Sequence, residues 1–255
     1  MHEFSSAGVR IAFIDEPPEG ASRGEPILLI HGFASTHAVN WVFPQWVKTL
    51  TAAGRRVIAL DNRGHGRSEK FYAPEAYATK LMAEDARALL DHLGLERVDV
   101  MGYSMGARIT AFLAKAHPAR VRSAILGGLG INLVDSEGLP TGIADALEAP
   151  SADGLTDPTQ KMFRSFAEAT KSDLKALAAC IRGSRQTLSP EEIGGINLPV
   201  LVAVGTKDTI AGDAGRLAGL FPKGQLLEIT NRDHSLAVGD KIYKQGVLTF
   251  LEARP

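Results

Sequence analysis

Short apolar runs recur along the chain, and longer stretches with helical periodicity separate them. Continuous apolar runs predict strands that helices cover on both faces, and they lie at 27–30, 57–60, 98–101, 124–126, 200–204 and 226–229. An earlier run, 9–14, alternates apolar with polar residues, which predicts a half-exposed edge strand. This alternation of strands and helices is typical of βαβ units and a mostly parallel sheet.

Three helices are predicted between these strands, each with a recognisable end. They cover about 45–53, 75–93 and 105–116. The first two stop at Gly54 and Gly94, because glycine readily ends a helix. The third stops at His117 and Pro118, where proline prevents continuation. The sequence therefore predicts an α/β domain with helices between its strands.

The alternation is interrupted between residues 129 and 196. This stretch contains no good strand, but it has helical patches near 159–171 and 173–182. It is too long for a single crossover, although two ordinary crossover helices remain the alternative. We predict a small helical cap at 129–196, inserted into a core made of 1–128 and 197–255.

Composition narrows the class of protein. The chain has 255 residues, 45% hydrophobic and 22% charged, with a formal net charge of −1, which favours neither nucleic acid nor an anionic membrane as partner. The single cysteine, Cys180, excludes an internal disulfide and favours a reducing compartment. With no signal-peptide pattern and no long apolar span, we expect a cytoplasmic, soluble monomer or homodimer with a small-molecule substrate.

The sharpest chemical signal is Gly-x-Ser-x-Gly at 102–106, directly after a predicted strand and before a predicted helix. That context makes Ser104 a candidate nucleophile on a tight strand-to-helix turn. The turn projects the hydroxyl at the carboxyl edge of the sheet, where open α/β sheets keep their sites. The following helix directs its positive end towards the serine.

A serine hydroxyl needs a base, and the base needs a carboxylate to orient it. His234 follows the last predicted strand and is the best base among seven histidines. Asp208 follows the strand at 200–204, giving the order Ser, Asp, His. Asp213 is the second candidate acid and Asp233 the third.

An oxyanion hole needs two backbone N–H donors, which we assign to Met105, after the nucleophile, and Phe33, after the first buried strand. His31 is interpreted as a buttress of that second loop. The polar segment 61–68, although it contains Asp, His and Ser, is interpreted as a compact scaffold turn rather than a second site.

Together these motifs resemble those of the α/β-hydrolase superfamily, especially small bacterial esterase-like members with a helical cap. The motifs are His-Gly-Phe at 31–33, the turn at 61–68, Gly-x-Ser-x-Gly, Gly-x-x-Asp at 205–208 and Asp-His at 233–234. The resemblance implies an eight-stranded, mostly parallel sheet with flanking helices and a cap over the pocket. One departure is that no proline follows Asp208, which leaves Asp213 open as the acid.

The predicted activity is that of a carboxylesterase that cleaves small to medium apolar esters through an acyl-enzyme on Ser104 and uses no metal or organic cofactor. Its pocket is expected to be apolar, with a wall formed by Trp41, Tyr103, Met162, Phe163 and Phe166, although these aromatic residues could equally be core. Three alternatives stay open. They are hydrolysis of a carbon–carbon bond or enol-lactone, a lyase or perhydrolase with the same triad, and a slow-turnover ligand receptor.

Overall fold

Eight strands form a single sheet in the order β1-β2-β4-β3-β5-β6-β7-β8. The computed structural model describes residues 1–136 and 138–254. The strands are β1 His2–Ser6, β2 Val9–Glu16, β3 Ile27–Ile30, β4 Val57–Leu60, β5 Val98–Tyr103, β6 Val121–Gly127, β7 Val200–Gly205 and β8 Gly224–Ile229. The pairs β1–β2 and β2–β4 are antiparallel, and the remaining pairs are parallel. The predicted eight-stranded, mostly parallel sheet is confirmed.

Helices cover both faces of the sheet. They are α1 Trp46–Ala52, α2 Thr79–His92, α3 Met105–Ala116, α4 Asn132–Asp135, α5 Gly142–Glu148, α6 Pro158–Ala169, α7 Leu174–Gly183, α8 Pro190–Gly194, α9 Ala214–Leu220, α10 His234–Ala237 and α11 Lys241–Ala253. One core cluster joins the sheet to α2, α3 and α9, and another joins it to α1 and α11. Strands β3, β4, β5 and β7 are buried along their whole length, as their continuous apolar sequences require.

Two local predictions were wrong. Strand β2 is not the edge strand, because β1 pairs beside it. The sequence of β1 is mostly polar, with Phe4 as its buried apolar residue, so no apolar run predicts this strand. The helix expected over 75–93 is broken into a 3₁₀ turn, Pro74–Tyr77, and α2. Ala78 is extended between them, and the N–H of Thr79 donates to the side chain of Gln186 instead of continuing a helix.

The described residues of 129–196 contain five helices, α4 to α8, and no strand. These helices pack in two separate groups. Leu133 of α4 and Ile193 of α8 belong to the core under the sheet, whereas α5, α6 and α7 form a separate apolar cluster that includes Phe33. The cap at 129–196 stays a prediction, but this second cluster brings α5, α6 and α7 against the loop that follows β3.

Candidate active site

Ser104 lies on a tight turn between β5 and α3. Its φ of 54° and ψ of −113° place a non-glycine residue in a strained conformation. Two glycines make the turn possible. A Cβ on Gly106 would lie 2.0 Å from the carbonyl oxygen of Ile30, and one on Gly102 would lie 2.1 Å from that of Gly106. The strain is therefore held by close backbone packing, and it fixes the direction of the serine hydroxyl.

The structure brings Ser104, His234 and Asp208 together from three separate loops. The Oγ of Ser104 lies 3.0 Å from Nε2 of His234, and Nδ1 of His234 lies 2.7 Å from Oδ2 of Asp208. The other two candidate acids serve local structure: Asp213 caps α9 and Asp233 caps α10. Of the three acids considered from the sequence, Asp208 is the one that contacts the histidine.

The charge on Asp208 is held by its surroundings. Burial alone would raise the pKa of this carboxyl, but the hydrogen bond and charge of His234 and the N–H groups of Ile210 and Ala211 outweigh it and lower the pKa from its ordinary value. The carboxylate is therefore ionised at neutral pH and can accept the Nδ1 proton of His234. That leaves Nε2 free to accept the proton of Ser104.

The loop after β3 packs directly on the serine. A Cβ on Gly32 would lie 3.1 Å from the carbonyl oxygen of Tyr103 and 3.4 Å from Cβ of Ser104, so glycine permits this close approach. The N–H of Gly32 donates to Oδ1 of Asn40 at 2.7 Å, which anchors the loop. Helix α3 begins at Met105, whose N–H consequently lacks an intrahelical acceptor. The roles of Phe33 and Met105 as oxyanion donors stay predictions.

Comparison with known proteins supports the fold in which this site lies. A family model described as the alpha/beta hydrolase fold matches residues 25–149. The enol-lactonase of Burkholderia xenovorans LB400 superposes with a TM-score of 0.80 at 22% identity, covering 98% of this chain and 100% of the enol-lactonase. The chain has the α/β-hydrolase fold.

Two curated relatives from this comparison differ in how much they share with the chain. Epoxide hydrolase B of Mycobacterium tuberculosis is 37% identical over 114 residues, which are 44% of this chain and 31% of the relative. The dihydrolipoyllysine-residue acetyltransferase component of the acetoin cleaving system of Pseudomonas putida is 31% identical over 250 residues, 91% of this chain and 65% of the relative. The chain thus spans less than two thirds of these relatives.

Within this fold, His31 supports the loop that carries Phe33. Its Nδ1 lies 2.7 Å from the carbonyl oxygen of Gly32, and its Nε2 accepts the N–H of Asn62 at 3.0 Å. Burial lowers the pKa of His31 to about 4, so the ring is neutral at pH 7, as one donor and one acceptor require. The contacts agree with the buttress interpretation.

The polar turn at 61–68 also serves the scaffold. The carboxylate of Asp61 accepts hydrogen bonds from the backbone N–H groups of His37 and Arg67, and the hydroxyl of Ser68 donates to the carbonyl of Asp61. His65 is fully buried, and burial lowers its pKa to about 3. None of these side chains lines either of the cavities that reach Ser104.

Two cavities meet at Ser104 and Phe33. The apolar cavity has a volume of about 290 Å³ and is bounded by the π-helical turn Ala38–Val42, by α6 and by the loop of His234. Four of the five predicted pocket residues line it, namely Tyr103, Met162, Phe163 and Phe166. The second cavity, about 330 Å³, is the more polar of the two and is called the polar cavity; it is bounded by α3, by residues within 128–136 and 138–140, and by the loop after Asp208.

Trp41 was wrongly placed in the pocket. Its side chain is fully buried and packs edge-to-face on Trp46 in the core, with ring centroids 6.4 Å apart. The reason is the π-helical turn, which presents Val39 and Asn40 to the cavity and turns Trp41 to the sheet.

Two residues that sequence analysis missed also face the site, namely Asn40 in the apolar cavity and Arg108 in the polar one. For Arg108 a signal exists, because it is a charged residue in the otherwise mostly apolar stretch 105–114.

Cys180 is fully buried, and burial raises the pKa of its thiol to about 12, so it is no nucleophile at neutral pH. Among residues 1–136 and 138–254, no group of three His, Cys, Asp or Glu side chains is arranged to hold a metal ion. Within the same residues, no helix combines the length and the apolar character needed to cross a membrane.

Proposed function

We propose that this chain is a serine hydrolase, specifically a carboxylesterase that cleaves small to medium esters through an acyl-enzyme on Ser104. The observation that supports it most is the continuous chain of contacts from Ser104 Oγ to His234 Nε2 at 3.0 Å and from His234 Nδ1 to Asp208 at 2.7 Å. This is the geometry in which a histidine accepts the serine proton while a carboxylate stabilises the imidazolium.

The mechanism has two halves. Ser104 Oγ attacks the ester carbonyl while His234 takes its proton, and the backbone N–H groups of Phe33 and Met105 stabilise the oxyanion. The carbonyl reforms, the carbon–oxygen bond to the alcohol breaks, and His234 gives its proton to the leaving alcohol. Water then attacks the acyl-enzyme with His234 as base, releasing the acid and restoring Ser104.

Tyr103 positions the histidine in this proposal. Its hydroxyl donates to the carbonyl oxygen of His234 at 2.5 Å, and its ring lies against the imidazole with centroids 5.5 Å apart. Burial raises the pKa of Tyr103 well above the ordinary value of a tyrosine, so the phenol keeps its proton and remains a donor. The base is thus restrained from its backbone as well as from Asp208.

A panel of neutral p-nitrophenyl esters tests the function directly. With acyl chains from acetate to laurate, we expect multiple turnovers by the wild type and the highest kcat/KM for short to medium chains. The reason is that each of the two cavities, about 330 and 290 Å³, holds only a small group. The readout is nitrophenolate release with the protein at nanomolar concentration. Turnover no faster than in buffer, across the whole panel, would contradict the carboxylesterase proposal.

A second candidate is hydrolysis of an enol-lactone or a carbon–carbon bond by the same three residues. The likeness to an enol-lactonase over 98% of the chain supports it, as do two cavities that meet at one serine and could hold both parts of a ring-opened product. Turnover of an enol-lactone or a vinylogous 1,5-diketone without turnover of any ester would favour it. Stoichiometric ligand binding without turnover of either class would indicate a receptor.

A further inference from the structure

The polar cavity contains a buried positive charge that differs from the others in the molecule. Four arginines are buried among the described residues. Three of them meet a carboxylate, in the pairs Arg55–Asp99 at 2.9 Å, Arg63–Asp85 at 2.7 Å and Arg164–Glu168 at 2.6 Å. The fourth, Arg108, has only 4% of its surface exposed, and the contacts of its guanidinium are with backbone carbonyl oxygens.

These carbonyls hold Arg108 in place without neutralising it. The guanidinium donates to the carbonyl oxygens of Gln186, Asn132 and Ser136 at 2.7, 2.6 and 3.0 Å. A buried charge is costly unless an opposite charge accompanies it. Burial, and secondly the charge of Arg185, lower the pKa of Arg108 to about 10, so it remains protonated at neutral pH. The site is therefore cationic and fixed in direction.

Arg108 lines the same cavity as Ser104. It lies one turn after Ser104, and its backbone N–H donates to the carbonyl of Ser104 at 3.1 Å. Its side chain lines the polar cavity together with Ser104 and Met105. No aspartate or glutamate is found among the cavity-lining residues that the structure describes. An anionic group in this cavity would find a cation there and meet no like charge from the described wall.

The position of His234 decides which half of a substrate enters this cavity. His234 lines the apolar cavity and is absent from the lining of the polar one. Since the histidine protonates the leaving alcohol, the alcohol occupies the apolar side. The acyl group then extends past Met105 into the polar cavity, towards Arg108.

We propose that Arg108 binds a carboxylate at the far end of the acyl group, so that the preferred substrates are half-esters of short dicarboxylic acids with an apolar alcohol. This inference rests on the proposed acyl-enzyme mechanism. Arginine suits the role because its planar guanidinium recognises carboxylates with paired hydrogen bonds. The three carbonyls that hold the guanidinium fix its direction before a substrate enters.

The test compares charged and neutral acyl groups of matched length. Substrates are the p-nitrophenyl half-esters of succinate, glutarate and adipate, each beside the neutral ester of equal chain length. We expect wild type to have a higher kcat/KM for at least one half-ester than for its neutral partner. In Arg108→Gln the kcat/KM ratio of half-ester to neutral ester should fall about 10- to 100-fold, the effect of a hydrogen bond to a charged group. Arg108→Lys should retain part of the ratio.

Arg164→Gln is the matched control. Arg164 is equally buried, with 5% exposure, and holds the carbonyls of Ala146 and Ala149, but it lines neither cavity. If Arg164→Gln loosens the predicted cap, it should therefore lower kcat/KM for half-esters and for neutral esters by the same factor. The inference would be overturned if Arg108→Gln lowered kcat/KM equally for half-esters and neutral esters. It would also be overturned if wild type had the higher kcat/KM for the neutral ester in every pair.

A binding measurement separates failure of this inference from failure of the proposed function. Calorimetry of Ser104→Ala with N-ethylsuccinamate, an uncleaved amide, should show tighter binding than N-ethylbutyramide, and adding Arg108→Gln should abolish the difference. Turnover of esters by wild type together with no preference for the succinamate overturns the anion site alone. Tight succinamate binding without turnover of any ester overturns the hydrolase proposal and supports the anion site.

Discussion

Replacing Ser104 by alanine is expected to lower kcat for a p-nitrophenyl ester by about 10⁵- to 10⁶-fold. In the part of the chain that the structure describes, the hydroxyl of Ser104 is the group that contacts Nε2 of His234, at 3.0 Å, so without it the base has no nucleophile to activate. The residual rate would come from binding and from the N–H donors near the carbonyl. Stopped or continuous nitrophenolate assays at high enzyme concentration measure both values.

Ser104→Gly controls for the strained backbone at this position. Like alanine, glycine lacks the hydroxyl, but it relieves the conformation at φ 54° and ψ −113°. We expect the glycine variant to be as inactive as the alanine variant. Its free energy of unfolding in denaturant should exceed that of the alanine variant by about 1 kcal/mol. More than a tenth of wild-type activity in either variant would show that Ser104 is not the nucleophile.

Asp208→Asn is expected to lower kcat by about 10⁴-fold while leaving the fold intact. The asparagine oxygen can still accept the N–H groups of Ile210 and Ala211. Its amide nitrogen would then face Nδ1 of His234, which must become an acceptor. The ring proton moves to Nε2, and His234 can no longer accept the proton of Ser104. The same ester assay measures the loss.

Asp213→Asn is the matched control, because it makes the same chemical change five residues away. Asp213 accepts the backbone N–H of Arg216 at the start of α9, and asparagine caps helices equally well. We therefore expect kcat to stay within about twofold of wild type. A larger loss in Asp213→Asn than in Asp208→Asn would mean that the acid has been wrongly assigned.

The parts of the fold that sequence analysis predicted are those determined locally. The bounds of β3 and β4 match the apolar runs to the residue, because a strand buried on both faces must be apolar throughout. The turn at Ser104 was predictable because its glycines are dictated by close backbone contacts. Choosing Asp208 relied on its place after β7, although its contact with His234 spans 26 residues of sequence.

The parts that escaped prediction depend on packing between distant segments. Strand β1 is held at the sheet edge by backbone pairing with β2, which its polar sequence does not reveal. Trp41 and Asn40 are neighbours in sequence, yet a π-helical turn sends one to the core and the other to the cavity. The position of Arg108 in the cavity depends on the carbonyls of Asn132, Ser136 and Gln186, which lie 24 to 78 residues away in sequence.

Covalent labelling with an alkyl fluorophosphonate tests the central claim most directly, because it requires an activated serine and no knowledge of the natural substrate. Attack by Ser104 Oγ on phosphorus expels fluoride and leaves one phosphonyl group on the protein. Intact mass followed by peptide mapping should find a single adduct on Ser104 in wild type, none in Ser104→Ala and much slower labelling in His234→Ala. An unlabelled wild type, or an adduct on any residue other than Ser104, would contradict the account.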